Sequence, residues 1–311
     1  MWMKERLRDF TEDFRRNIFF YAMITPAIAV IIILYLYPVL KTIQVSLYDF
    51  NLLSGRSEYI AFANYINKFT SPKFQTVLFN SFYFTVVSVA IETVLGLSCA
   101  LLLNYELRGQ RLMRIVIMIP MMVAPVIVAY EWKLMYNDQV GIITYIFEST
   151  GIIKEKISWL SHPRLAMWSC IIADVWYTTP FVILILLGGL QSLPRDPYEA
   201  AVIDGANALQ RFTLITLPLL KPVLMAAILL KTMDAFKMFD LIYILTYGGP
   251  SLKTEVINIH TYKTVFRHFR FGEGATISII TLFSLIFIVI VIMFIFKGKD
   301  IIQKIKGSLH L

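Results

Sequence analysis

The sequence predicts an all-α polytopic membrane protein with six transmembrane helices. Of its 311 residues, 58% are hydrophobic and the mean hydropathy is +0.67, whereas soluble domains contain about 45–50% apolar residues. A bilayer core about 30 Å thick requires roughly 20 apolar residues per helix, and six stretches meet that requirement. We expect these spans near residues 17–40, 76–104, 112–134, 164–192, 219–246 and 275–296.

Positively charged residues outside the spans predict the orientation. Fifteen Lys and Arg residues fall in the two terminal segments and in the loops on the same side, 105–114 and 193–221, while fewer fall in the longer loops on the other side. Because Lys and Arg collect on the cytoplasmic side of a membrane, we expect both termini in the cytoplasm. The net charge of +8 reflects these loops and does not indicate nucleic-acid binding.

Three regions are expected: a cytoplasmic amphipathic segment (1–16), a transmembrane domain (17–296) and a cytoplasmic basic tail (297–311). The outer loops 46–75 and 135–163 are too long for simple hairpins and should hold short helices or strands. In the first segment, apolar side chains recur at helical spacing opposite a charged face, which favours a helix on the cytoplasmic leaflet; the alternative is a frayed terminus. These apolar residues are Met3, Leu7, Phe10 and Phe14.

The sequence has no motif for a disulfide framework, for ATP hydrolysis or for a metal site. Cys99 and Cys170 lie in apolar runs, which argues against a disulfide framework or a zinc site. There is no GxxxxGK[ST] phosphate loop, so the chain is not expected to hydrolyse ATP or to hold a cofactor. The four histidines have no metal-ligand spacing, and we expect no metal site; they are His162, His260, His268 and His310.

The polar stretch "EAAVIDGANALQRFTLITLPLLKP" (199–222) interrupts two apolar segments and predicts a helical hairpin. Asp196 is expected to be the N-cap of a first helix, with Pro197 at the first helical position and Glu199 at the reciprocal position of a capping box. That helix should run to about Asp204, and Gly205 should form the turn because glycine tolerates positive φ.

A second short helix is expected through Phe212, since Pro218 and Pro222 should limit its continuation. Small alanines would let the backbone of another protein approach the hairpin, residues 196–218, closely. The alternative is an ordinary connector between helices, in which Glu199 is only a cap and Gly205 only a turn.

This stretch resembles the EAA motif of binding-protein-dependent ABC importer permeases. The match consists of Glu-Ala-Ala, three residues, Gly, nine residues, Ile, one residue and Leu-Pro, with the common "DGA" at 204–206. "VLGLSCALLLN" (94–104) and "ILTYGGP" (244–250) are similar to the carbohydrate-uptake branch, in particular to its first permease subunit, related to the maltose and glycerol-phosphate permeases. The motif residues are Glu199, Ala200, Ala201, Gly205, Ile215, Leu217 and Pro218.

The resemblance implies the type I ABC importer permease fold in the cytoplasmic membrane of a bacterium or archaeon. It implies that the chain lies in the lipid bilayer beside a second homologous permease. It also implies two ATPase subunits that bind ATP and Mg, an extracytoplasmic substrate-binding protein and a sugar substrate. It also implies that the hairpin docks on an ATPase and couples ATP-driven closure to movement of the spans. The coupling residues would be Glu199, Ala200, Ala201, Asp204 and Gly205.

Polar residues inside spans are candidates for a solute site because they are costly in the bilayer. On the fourth predicted span, four residues at i, i+3, i+4 and i+7 share one helix face; on the fifth, Lys231, Asp234 and Met238 share another. The resemblance implies that these faces and Met121 touch the sugar. The residues of the fourth span are Asp174, Tyr177, Thr178 and Phe181.

Lys231 leaves the substrate's charge open. It could contact hydroxyl groups of a neutral oligosaccharide, which is the default for the resembling branch, or meet the acid group of an acidic sugar. Alternatively, Lys231 and Asp234 pair with each other or with the partner permease. Glu92 and Asn80 are expected to be structural and to join spans by hydrogen bonds.

Two other classes of protein fit the sequence less well. An ion-coupled secondary transporter or channel would use intramembrane carboxylates, but the matching broken halves typical of such proteins are not visible. A membrane enzyme is not supported by any Ser/His/Asp, HExxH or paired-carboxylate motif. The candidate coupling carboxylates would be Glu92, Asp174, Asp234 and Asp240.

Residues 247–274 are expected on the outer side, with a Gly-Gly-Pro turn and helical character from Thr254 to Phe269. The aromatic residues of this segment leave apolar surface on which, by resemblance, the substrate-binding protein docks. The alternative is packing against the chain's own outer loops. These aromatic residues are Tyr262, Phe266, Phe269 and Phe271.

Overall fold

The computed structural model describes residues 18–105, 108–153 and 156–308. The amphipathic helix expected over residues 1–16 lies outside these ranges. The described chain is almost entirely helical, with one two-stranded sheet. The elements are α1 (Ile18–Ile31, continued by a π-helical turn Ile32–Leu36 and by Tyr37–Ser46), β1 (Tyr48–Asn51), β2 (Arg56–Tyr59), α2 (Ala63–Thr70), α3 (Pro72–Asn104), α4 (Gln110–Met122), α5 (Pro125–Met135), α6 (Ile142–Ser149), α7 (Leu165–Gln191), α8 (Asp196–Ile203), α9 (Ala208–Phe236), α10 (Asp240–Thr246), α11 (Ile257–Tyr262, continued by a π-helical turn Lys263–Arg267) and α12 (Phe271–Ser308).

Five helices of the described chain are long and apolar enough to cross a membrane, and a bent pair brings the number to six. The pair is α4 and α5, which meet at 94°, so the third predicted span (112–134) is a broken one. Ala124 is extended (φ −62°, ψ 138°) immediately before Pro125. Proline disfavours helical geometry in the residue that precedes it, which accounts for the break.

The fifth predicted span (219–246) is displaced in the structure. α9 runs without interruption from Ala208 to Phe236, and Asp240–Thr246 forms a separate helix. Pro218 does not stop α9, because the turn before it, Phe212–Thr216, is π-helical. The wider turn relieves the clash between the proline ring and the preceding carbonyls, and the second arm of the hairpin therefore continues directly into a membrane span.

The chain divides into two compact units, and the smaller contains the residues up to Ile66 together with Thr264–Ile279. Here β1 and β2 pair in antiparallel fashion. The Asn64 side-chain amide donates to the backbone carbonyls of Ser46 and Tyr48, at 3.0 Å each. The segment after the first span thus contains short strands and a helix, as the loop length predicted.

The larger unit, Asn67–Lys263 with Ile280 onward, is built around α3, α7 and α9. Two apolar clusters fill the space between its helices. The first cluster includes Phe84, Val89, Ala173, Val175, Ala235 and Leu241. The second cluster lies nearer the hairpin and includes Ala100, Leu103, Val182, Leu190, Leu220 and Ala227.

Two glycines permit the close approach of these helices. A Cβ atom added to Gly96 on α3 would lie 2.6 Å from Val182 Cγ1 on α7. One added to Gly189 on α7 would lie 2.7 Å from Val223 Cγ1 on α9. Both distances are far inside van der Waals contact, so α7 packs against its two neighbours through positions where only a hydrogen fits.

Candidate coupling hairpin and intramembrane polar site

The hairpin begins one residue earlier than the sequence predicted. Arg195 is the N-cap and is already helical (φ −81°, ψ −30°), so Asp196 is the first helical residue and makes no capping hydrogen bond. The backbone amides of Tyr198 and Glu199 donate to the Arg195 carbonyl at 2.9 and 3.1 Å. The predicted Asp196 cap and Glu199 capping box are therefore wrong.

The turn forms at Gly205, as predicted, with φ +76°. The Gly205 amide donates to the Val202 carbonyl (3.1 Å), and the Ala206 amide donates to the Ala201 carbonyl (2.9 Å). These two bonds constitute a Schellman motif, which ends a helix through a left-handed residue. α8 thus ends at Ile203 with its last carbonyls satisfied.

A capping box does occur, but on the second arm. Asn207 Oδ1 accepts from the Gln210 amide (2.9 Å), and the Asn207 amide donates to Gln210 Oε1 (2.8 Å). An Asn followed three residues later by Gln was the available sequence signal, and our sequence analysis missed it. The Tyr198 hydroxyl donates to Thr216 Oγ1 at 3.0 Å and joins the two arms.

The exposed surface of the hairpin carries both acidic and apolar side chains. Of the five predicted coupling residues, four are exposed and Ala201 is half-buried. Beside them, Ile203 is 86% and Leu209 is 70% exposed. Such apolar exposure outside the spans is typical of a surface that another protein covers. The four exposed residues are Glu199, Ala200, Asp204 and Gly205.

A buried polar cluster joins three helices between the two apolar clusters. We call it the ionic cluster: Glu92 of α3, Asp174 and Thr178 of α7, and Lys231 of α9. The Lys231 ammonium lies 3.4 Å from Glu92 Oε2. Thr178 Oγ1 lies 2.7 Å from Glu92 Oε1 and 2.8 Å from the Asp174 backbone carbonyl oxygen.

Three members of the ionic cluster are shielded from solvent. Glu92 and Asp174 are completely buried and Lys231 is 3% exposed. Both Asp174 carboxylate oxygens and the Ser88 hydroxyl make no hydrogen bond to any described residue, although Glu92, Ser88 and Lys231 lie near enough to Asp174 to interact with it. The cluster is therefore internal to this chain.

The alternative in which Lys231 pairs with Asp234 is not observed, because Lys231 contacts Glu92 and Asp234 is exposed. Glu92 contacts side chains of two other spans, as expected of a structural residue. Asn80 has a different role from the one predicted. Its amide donates to the backbone carbonyls of Leu252 (2.7 Å) and Glu255 (3.2 Å) in the loop after α10.

The other predicted solute-site residues lie closer to the surface. Tyr177, Phe181, Met238 and Met121 are half-buried. Tyr177 interacts electrostatically with Asp240 at the start of α10. The structure thus divides the predicted solute-site residues into two groups. Some belong to the ionic cluster inside the chain, and the others keep part of their surface exposed.

Sequence analysis missed an aromatic stripe beside that exposed part. Phe239 and Tyr243 are stacked with ring centroids 4.8 Å apart, and Tyr247 lies 4.6 Å from Tyr243. Their spacing of four residues was the available signal, since i and i+4 share a helix face. All three rings are half-buried, so each keeps part of its surface accessible.

The loop after α10 is fixed by a buried carboxylate. Glu255 Oε2 accepts from the Lys263 ammonium (2.6 Å), and Glu255 Oε1 lies 2.7 Å from His260 Nδ1. Burial by itself raises the pKa of Glu255, but the hydrogen bonds to His260 and Lys263 and the charge of the Lys263 ammonium outweigh it, and the pKa lies below its ordinary value.

The helix expected from Thr254 to Phe269 begins later, at Ile257. Of the aromatic residues expected to offer apolar surface, Phe266 is 64% exposed. Tyr262 is half-buried and packs on Tyr243, with centroids 5.3 Å apart. Phe269 and Phe271 are half-buried too. Among the described residues, no group of three or more His, Cys, Asp or Glu side chains could hold a metal ion.

Five continuous spans, one bent pair and a capped hairpin between α7 and α9 define a polytopic helical membrane protein of the type I ABC permease class. The sequence signature described as "binding-protein-dependent transport system inner membrane component" matches residues 92–299. The chain belongs to this family, and it is therefore a non-catalytic membrane subunit of a transporter. This membership favours a permease over an ion-coupled secondary transporter or channel.

Named relatives align over most of the chain. The trehalose/maltose transport system permease protein MalF of Thermococcus litoralis is 41% identical over 84% of this chain and 88% of that protein. The trehalose transport system permease protein SugA of Mycobacterium tuberculosis is 35% identical over 84% of this chain and 82% of that protein.

Solved structures have the same fold. A chain of a bacterial ABC transporter involved in the import of the acidic polysaccharide alginate superposes with a TM-score of 0.79 and 20% identity, covering 93% of this chain and 99% of that one. The alginate transporter in complex with its pentasaccharide-bound periplasmic protein gives a TM-score of 0.78 and 21% identity, covering 91% and 96%. At these identities the likeness concerns the fold.

Proposed function

We propose that this chain is a permease subunit of a sugar ABC importer and that it helps to form the translocation path for a neutral oligosaccharide of the trehalose/maltose class. The observation that supports this most strongly is the 41% identity with a trehalose/maltose permease over 84% of the chain. The second permease, two ATPase subunits and an extracytoplasmic binding protein would complete the importer.

The pairing of Lys231 supports a neutral rather than an acidic sugar. A lysine on the solute path would favour an anionic substrate, because its charge is costly in a bilayer without a counter-charge. Here the buried carboxyl groups beside Lys231 supply that counter-charge within the chain, and Glu92 Oε2 lies 3.4 Å from the Lys231 ammonium. The main sequence-based reason for an acidic sugar thereby disappears.

The partly exposed aromatic residues are the better candidates for sugar contact. Tyr177 and Phe181 on α7, with Phe239 and Tyr243 at α10, offer flat apolar faces together with phenolic hydroxyl groups. Binding pockets commonly combine aromatic walls with a few polar groups. Asp234 and Met238 would border the same path, and Asp174, Thr178 and Lys231 would support it from inside.

The hairpin is the proposed contact with an ATPase subunit, which would bind ATP and Mg. Glu199 would face basic groups of the ATPase, while the exposed Ile203 would enter an apolar cleft. Because the second arm is continuous with α9, a displacement of the hairpin would be transmitted directly into a span. The hairpin and both termini would then be cytoplasmic, and the 247–263 loop would face the binding protein.

Uptake by the purified importer in proteoliposomes tests this function. We expect ATP-dependent accumulation of trehalose or maltose in the presence of the binding protein, with much slower uptake of acidic oligosaccharides. Tyr177→Ala and Tyr243→Ala should reduce uptake severalfold, while Tyr145→Ala, an exposed tyrosine of α6, should not. Preference for an acidic sugar, or uptake driven by an ion gradient without ATPase subunits, would overturn the proposal.

A further inference from the structure

We infer that Glu92 and Asp174 together retain one proton, and that their remaining single negative charge pairs with Lys231 to form a neutral clasp between α3, α7 and α9. This inference concerns the protonation and the positioning role of the ionic cluster. It goes beyond the proposed function and does not depend on which solute the chain carries.

The first argument is a count of charges. Two carboxyl groups are completely buried within a membrane-spanning bundle, and Lys231 is the one described cation that faces them. With both acids ionised, the cluster would carry an uncompensated negative charge, which is costly in a medium of low polarity. Two neighbouring carboxyl groups relieve such repulsion when one of them keeps its proton.

The second argument is a count of hydrogens. The Thr178 hydroxyl has one hydrogen to donate, yet its oxygen lies within hydrogen-bond distance of Glu92 Oε1 and of the Asp174 carbonyl oxygen. If both were acceptors, one contact would lack a hydrogen. A proton on Glu92 Oε1 removes the conflict, because Thr178 then donates to the carbonyl and accepts from Glu92.

The other titratable groups around the ionic cluster add no positive charge that could balance a second carboxylate. Asp234 on α9 adds negative charge felt by Asp174, and Cys170 and Tyr177 on α7 also interact with Asp174. None of these supplies a cation. Retention of one proton is therefore the arrangement that balances Lys231.

The position of the clasp gives it a mechanical role. Each contributing residue lies between members of the two apolar clusters: Lys231, for example, lies four residues from Ala227 of the second cluster and four from Ala235 of the first. Its helix begins at Ala208, about 35 Å away at 1.5 Å rise per residue, in the second arm of the hairpin. The clasp thus fixes the far part of the hairpin's helix to α3 and α7.

Infrared difference spectroscopy of the complete importer in lipid at neutral pH tests the inference. A protonated carboxylic acid has a carbonyl stretch that shifts in D2O, and its intensity can be counted per permease. We expect Glu92→Gln and Asp174→Asn each to lose one such acid, because the remaining carboxylate pairs with Lys231. Lys231→Met should gain one, since both acids then become neutral.

Thermal unfolding provides a second readout based on the same charge balance. Each single acid variant should remain close to wild type in Tm, whereas the double variant leaves Lys231 unpaired and should unfold at a clearly lower temperature. Adding Lys231→Met to the double variant should recover most of that loss. Either single variant that folds decides the question: an unchanged carboxylic-acid signal in Glu92→Gln or Asp174→Asn would overturn the inference.

Discussion

Glu255 is a buried carboxylate that is held in its ionised form. Its two oxygens meet Lys263 and His260 at 2.6 and 2.7 Å, and these contacts outweigh the effect of burial on its pKa. Asn80 of α3 binds the backbone carbonyl of the same residue. One ionised side chain therefore helps to fix the loop after α10 against a long span.

The stability of the protein should depend on the charge of Glu255. Since its folded pKa lies below the unfolded value of about 4.3, its contribution is complete above that value and is lost as the pH falls through the folded pKa. Glu255→Gln should lower the free energy of unfolding by about 1–3 kcal/mol at neutral pH. It should also flatten the decline in Tm below pH 4.

Thermal unfolding of the detergent-solubilised protein at a series of pH values measures both effects. Glu148→Gln, at an exposed position on α6, is the matched control and should follow wild type. An identical acid profile for wild type and Glu255→Gln would mean that Glu255 is not the stabilising anion described here.

The packing of α7 against α9 depends on one of two adjacent glycines, Gly188 and Gly189. A Cβ on Gly189 would clash with Val223 and Leu220 of α9, whereas a Cβ on Gly188 would meet nothing within 4 Å. Both positions are helical, so alanine gains about 1 kcal/mol of helix propensity at either site. Only the first substitution separates two helices.

We therefore expect Gly189→Ala to lower Tm and Gly188→Ala to leave it unchanged or raise it slightly. The physical cause of the loss is overpacking, which typically costs about 1–3 kcal/mol. Thermal unfolding curves of the two variants compare the same Gly→Ala substitution at two adjacent positions. Equal stability of the two variants would show that α7 and α9 are not in close contact in the protein.

The sequence pattern predicted which helices exist better than it predicted where they begin and end. The positions of four spans, the Gly205 turn and the hairpin follow from apolar length and turn chemistry, which are local. The 94° bend at Ala124 and the continuity of α9 through Pro218 do not, because each depends on how the chain accommodates a proline. The N-cap was misplaced because Arg195 is already helical.

At the scale of the whole molecule, the partners of charged residues could not be predicted. Lys231 and Asp234 are close in sequence, but Lys231 pairs with Glu92 of a different helix. That choice depends on tertiary packing of α3 against α9, which a helical-face argument does not contain. The aromatic stripe at Phe239 and Tyr243 was visible as a spacing of four, although its stacking was not.

The larger unit contains a continuous connection from the hairpin to the ionic cluster. α9 carries the second arm at its start and Lys231 near its end, and the apolar clusters pack it against α7 on the way. A rigid helix so connected would move the intramembrane residues when the hairpin moves. We therefore propose that the hairpin couples an ATPase to this bundle.

ATP-dependent sugar uptake by reconstituted importer containing Ile203→Asp tests that claim most directly. Ile203 is 86% exposed at the hairpin tip, and Val140→Asp, at a 75% exposed site in the segment between α5 and α6, is the matched control. Ile203→Asp should reduce uptake at least tenfold and weaken retention of the ATPase during purification, while the control transports normally. Wild-type uptake and ATPase retention by Ile203→Asp would contradict the account.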